Sequence, residues 1–147
     1  MDMDNVVKII RLAFPSIKTL GVVHSEDENA VAQVDLLKKS AAAAGMKVMS
    51  RLIDKNARIT PVAEEMNKEG IDAFVIPLDT YYGMRNYEAT NDIRNLNLKW
   101  KKPGICLVYW KSPGAVLYIG SDFKHVGALS GSQAAKILLE GARPETL

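Results

Sequence analysis

With 147 residues, 48% of them hydrophobic and 24% charged, the chain has the make-up of a folded globular domain able to bury a core without staples. Nineteen basic against seventeen acidic residues, scattered and not gathered into a stripe, leave a formal charge of +2 and speak against a nucleic-acid partner. No apolar run reaches the about 20 residues of a membrane span, the start MDMDNVV lacks a secretion signal's basic and apolar regions, and a single cysteine, Cys106, excludes an intrachain disulfide.

Apolar residues at 6, 7, 9, 10, 12, 13 and 14 after the acidic Asp4 predict a first helix, stopped at Pro15 and Ser16. The segment KTLGVVH, 18–24, reads as a first strand inside a sheet. HSEDEN then opens a long helix over 28–44, ending at Gly45 as a helix C-terminal glycine should. MKVMSRLI reads as a more peripheral strand. A short helix over 61–68 follows, with Thr60 as its N-cap and Pro61 in its first position. The unbroken apolar run Ala73–Ile76, between Gly70 and Pro77, predicts a central parallel strand buried on both faces. A polar helix is expected over 84–97 and a strand over ICLVYW. Lys111 to Gly114 reads as a turn, and AVLYIG as a fifth strand. A last helix starts at Asp122, carries Val126, Leu129, Ala134, Ile137 and Leu138, and stops at Gly141.

Strand and helix alternate, which predicts a single α/β unit over 1–147, a three-layer α/β/α sandwich on a parallel sheet of about five strands. The short gap before the fifth strand is the exception: four residues cannot hold a crossover helix. A hairpin, or a fifth strand leaving the sheet edge, would explain it. In an open parallel sheet the ligand crevice lies beyond the carboxyl ends of the strands, so Asp79, Thr80 and Tyr81 fall at a mouth.

The succession of FPSIKTLGVVHSEDENAVAQVDLLKKSAAAAGMKV, GIDAFVIPLDTYYG, KKPGICLV and SDFKHVGALSGSQAAKILLEGARPETL resembles the second half of the solute-binding proteins of bacterial ABC importers. These are similar to type I periplasmic binding proteins, in which two flavodoxin-like lobes close over a solute. The resemblance covers nearly the whole chain but only one lobe and its hinge connections. It implies ligand-facing roles for His24, Ser25 and Asn29 after the first strand, for Asp79 and Thr80 after the third, and for Ser112 after the fourth. It further implies an amino-acid-like, in some members aromatic, solute and, within a longer protein, an ABC permease as partner. Two departures stand out. The loop at 24–29 is about one residue shorter than the family's pattern, and YWKSPGAVLYIG is more apolar. One lobe supplies only one wall of a cleft.

Each of these residues has a blander use. Asp79 after a strand also suits a turn or helix cap, and His24 a satisfied structural position. Adjacent Tyr81 and Tyr82 could stack on an aromatic solute, although such pairs usually turn one ring inward and expose the other. His125 has no neighbouring cysteine or histidine, so no metal site is expected. Ser130 between glycines falls in a helix without a nucleophile elbow, and no phosphate-binding loop occurs. Neither catalysis nor a cofactor is expected. One competing reading is a receiver-like phosphoacceptor, with Glu26, Asp27 and Asp79 around Mg²⁺; the fourth strand's end in Tyr109 and Trp110 and the missing lysine after the fifth oppose it. Another is a dimeric interaction module using the apolar face of the last helix. A piece of an exported binding protein would work outside the cytoplasmic membrane; a chain complete as given would be cytoplasmic.

Overall fold

A computed structural model describes residues 1–108 and 114–146. Five strands, β1 (Thr19–His24), β2 (Lys47–Leu52), β3 (Ala73–Ile76), β4 (Gly104–Cys106) and β5 (Leu117–Tyr118), form one sheet in the order β2-β1-β3-β4-β5. All four pairings are parallel. The run Ala73–Ile76 is indeed central and wholly buried, while KVMSRL lies at one edge.

Because successive side chains of a strand point to opposite faces, each strand feeds two cores. Leu20, Val22, Ala73, Val75 and Ile105 meet helices α1 (Met3–Ala13) and α2 (Glu28–Ala43) on one face. Val23, Phe74, Ile76 and Cys106 meet α3 (Thr60–Lys68) and α4 (Met84–Trp100) on the other. The result is the expected three-layer sandwich. Helix α1 begins at Asp2, whose carboxylate accepts from Asp4 N at 3.0 Å, and buries Met3, Val6, Val7 and Ile10.

Three expectations change. Thr60 lies inside α3 and does not cap it: its hydroxyl donates to Asp92 of α4 over 3.2 Å. The fifth strand is neither a hairpin partner nor detached. The fourth strand stops at Cys106, and β5 pairs parallel to β4; Tyr109 and Trp110, the end of the expected strand, lie outside the described residues. The return is tight. A Cβ on Gly104 would lie 1.9 Å from the carbonyl oxygen of Gly114, so the two backbones approach only because that position has no side chain. Helix α5 (Phe123–Glu140), capped by Asp122 and ended by Gly141 at φ 69°, buries no residue at all and so does not fold back onto its own sheet.

The start of α4 also departs from a regular helix. Arg85, Asn86 and Tyr87 have φ of 48°, 53° and 61°, three consecutive left-handed residues without a glycine among them. Each costs roughly 1–2 kcal/mol relative to right-handed backbone. Regular helix resumes after Tyr87.

Candidate functional site

Parallel pairing places the carboxyl ends of all strands at one edge of the sheet. There the strand order reverses between β1 and β3, the position where doubly wound sheets open a ligand crevice. The loops that follow these two strands are fastened together. Asp79, only 4% exposed, accepts from Ser25 N at 2.6 Å and Ser25 Oγ at 2.8 Å, and from Tyr81 N at 2.9 Å. A carboxylate has about four acceptor positions, so three of them are already engaged within the chain. Asp79 thus points to the neighbouring loop and holds it.

A second set of contacts ties in the loop after β2. The Asp27 carboxylate accepts from Lys55 Nζ and from the Thr80 hydroxyl, and from Thr80 N at 3.2 Å, while Lys55 Nζ also donates to Thr80 Oγ1 at 3.1 Å. Residues from three loops, after β1, β2 and β3, therefore meet at one point. The hydrogen bond from Lys55, and next that from Thr80, holds the Asp27 carboxyl down at about 2. Asp27 occupies the N-cap position of α2 but makes no side-chain cap bond, so it leaves the first N–H groups of that helix to other partners. Asn29 is exposed in this first turn.

His24 is buried, with Nδ1 2.8 Å from the carbonyl oxygen of Ser25, a bond in which the ring N–H donates. Tyr81 and Tyr82 do not divide into one inward and one outward ring: both are buried, edge to face at a centroid separation of 5.5 Å. Tyr81 donates to the Ala57 carbonyl and Tyr82 to that of Val23, each at 2.8 Å. Burial pushes the Tyr81 phenol up to about 12 and that of Tyr82 well above its ordinary value. These rings form the floor behind the rim. Ser112 lies outside the described residues. Cys106 is buried, and burial raises its thiol above the usual range.

The sequence places Ser25 on the rim after β1 and Asp79 and Thr80 on the rim after β3; the structure bonds Ser25 to Asp79, and Thr80 to Asp27 and Lys55. The sequence reading did not single out Lys55, and it weighed Asp27 only as a metal-site carboxylate. Asp27 and Lys55 are 28 residues apart, in the loops after β1 and β2, and no local pattern signals their pairing. An open groove of about 400 Å³ adjoins them, lined by Glu26, Leu52, Ile53, Asp54, Lys55 and Asn56. Another, of about 440 Å³, lies between α1 and the C-terminal end of α2, away from the strand tips. Among the described residues no group of three or more His, Cys, Asp or Glu side chains is disposed to hold a metal ion.

A parallel sheet with this strand order, layered by helices and carrying polar loops joined at the β1 and β3 tips, defines an α/β lobe of the periplasmic-binding-protein type. The chain belongs to the ABC transporter substrate binding protein family, whose profile matches residues 1–147. It is similar to a conserved domain protein from Vibrio cholerae, with 26% identity over 99% of this chain and 48% of that one and a TM-score of 0.74. It is also similar to a ligand-free, open substrate-binding protein with adhesive properties from Clostridium difficile, with 25% identity, 97% and 47% coverage and a TM-score of 0.74. An ABC domain from Streptococcus pneumonia, in complex with L-Trp, shares the fold at 21% identity, 97% and 47% coverage and a TM-score of 0.73. The chain thus spans about half the length of these structures. None of the curated proteins compared matches it. The family is one of binding proteins, not catalysts, and normally works outside the cytoplasmic membrane. No helix among the described residues is long and apolar enough to cross a membrane.

Proposed function

We propose that residues 1–147 are a single solute-binding lobe of an ABC importer's binding protein, and that the solute is a small amino-acid-like molecule held at the tips of β1 and β3. The observation that carries this reading is the bonding of Asp79 to Ser25 N and Oγ at the crevice where the strand order reverses. Beside it, the uncapped start of α2 offers N–H donors suited to a solute carboxylate. Asn29, Thr80 and the remaining acceptor position of Asp79 supply polar contacts to an amino group, and His24 shapes the wall. An aromatic amino acid is the first solute to try, since the pneumococcal neighbour was solved with L-Trp. A second lobe forms the opposite wall, the permease receives the closed pair, and the compartment is extracytoplasmic. No bond is made or broken in this role, and the chain is not an enzyme.

Titration of the ¹⁵N-labelled chain with L-Trp at millimolar concentration tests the reading, because one wall binds weakly. Shifts confined to the amides of 25–31 and 78–83 are expected. Shifts elsewhere, or none with any of the twenty amino acids, would refute it.

The face of α5 favours self-association as a second property of the isolated chain. Phe123, Val126, Leu129 and Leu138 are between 46% and 80% exposed on a helix that buries nothing. Two such faces packed together would give a dimer. Sedimentation should then show a species of twice 16.2 kDa that the Leu129→Asp substitution dissociates. A monomer at every concentration would exclude it.

A further inference from the structure

We propose that Arg85 is a positioning residue of the rim: it clamps the loop after β2 against the left-handed turn at 85–87 and so presents Lys55 to Asp27 and Thr80. The inference rests on the reading of that rim as the solute-facing surface.

The guanidinium has a planar fork of donors, and three of its nitrogens are engaged. Nη1 donates to the Lys55 carbonyl at 2.5 Å, Nη2 to the Ala57 carbonyl at 3.3 Å, and Nε to Glu88 at 2.7 Å. Its carbon lies 5.7 Å from the centroid of the Tyr81 ring, whose hydroxyl donates to the same Ala57 carbonyl. Arg85 thus grips the backbone of the residue whose side chain joins the three loops. Its effect on Lys55 is through position, not charge contact.

The backbone supplies the second observation. Three consecutive left-handed residues persist only where the surroundings over-determine them. The bonds of Arg85 to two carbonyls on the facing loop, and to Glu88 in the first regular turn of α4, are suited to do this. Of the three residues only Asn86 is of a type that visits the left-handed region readily, and then singly; without these bonds Arg85 and Tyr87 would favour one more right-handed turn of α4. Released, that turn would draw away from the loop, and Lys55 would lose its fixed distance to Asp27. The lowered Asp27 carboxyl agrees with this arrangement, since the hydrogen bond from Lys55 is its chief cause.

Two measurements on the 147-residue chain test the proposal. By ¹³C-detected carboxyl titration, Asp27 of the unaltered chain should titrate at about 2, and Arg85→Ala should raise that midpoint by at least one pH unit toward 3.8. An unchanged midpoint would overturn the proposal. The second uses Asn86→Gly, which favours left-handed backbone and disfavours helix. It should raise Tm by a few degrees in the unaltered chain and lower it in the Arg85→Ala background. The same sign in both backgrounds would also overturn the proposal. Neither readout involves a solute, so a failure of L-Trp to shift the rim amides would defeat the functional reading and leave the role of Arg85 separately decided.

Discussion

Asp79 and Ser25 are 54 residues apart and share two hydrogen bonds, from Ser25 N at 2.6 Å and from its hydroxyl at 2.8 Å, both buried. Through them the loop after the central strand fixes the loop that begins α2. Asp79→Ala would leave the buried N–H groups of Ser25 and Tyr81 and the Ser25 hydroxyl without their acceptor, at a cost of about 3 kcal/mol or more, since bonds to a charged group contribute more than neutral ones. Ser25→Ala keeps the backbone bond to Asp79 and removes the hydroxyl's donation to Asp79 together with its long 3.3 Å acceptance from Asp27 N, and should cost about 1 kcal/mol. Urea denaturation of the two variants measures both values, and equal losses would contradict the geometry.

The Asp27 carboxyl sets an acid limit. Its value in the folded chain, about 2, lies below the ordinary 3.8, so the unfolded state binds its proton more readily. The stabilisation is therefore fully present above about pH 4 and is lost as pH falls through 2. Asp27→Asn should lower Tm at pH 6 and flatten its decline between pH 4 and 2, as followed by circular dichroism. A decline as steep as that of the unaltered chain would place the acid sensitivity elsewhere.

Gly104 is where the returning chain crosses the start of β4. An alanine there would put its Cβ 1.9 Å from the Gly114 carbonyl oxygen, a backbone atom, and 2.7 Å from the Asn97 side-chain nitrogen. Gly104→Ala should therefore cost about 3 kcal/mol or more, the upper end of overpacking. Gly127→Ala, in α5 with open space around it, should instead stabilise by about 0.5–1 kcal/mol. Thermal unfolding of the pair checks the contrast.

Helix α5 buries no residue, and so its removal exposes no core. A chain ending at Gly120 should keep the sheet's stability within about 0.5 kcal/mol, the range of surface changes. It should also lose any tendency to self-associate. A large drop in the unfolding midpoint would mean that α5 packs on this lobe in solution.

Much of the fold was legible because helices and strands follow from local periodicity and punctuation. Gly70, the apolar run 73–76 and Pro77 mark a buried strand without reference to anything distant, and Asp122 and Gly141 bracket the last helix. The crevice was legible too, since the polar residues after β1 and β3 fall at its mouth in any parallel sheet of this kind. The length of the fourth strand was not. Ile105 to Trp110 are apolar throughout, and only the crowding between Gly104 and Gly114 shows how closely the chain must return for β5 to join in parallel.

From its residues alone this protein had its class, its layers and the two loops that face each other across the switch point, because each depends on interactions between near neighbours. The union of Asp27, Lys55 and Thr80, the inward turn of both tyrosines and the left-handed path at Arg85 depended on the tertiary structure. These features arise between segments brought together only when the sheet closes, and polar side chains choose their partners from whatever that closure places within hydrogen-bond reach.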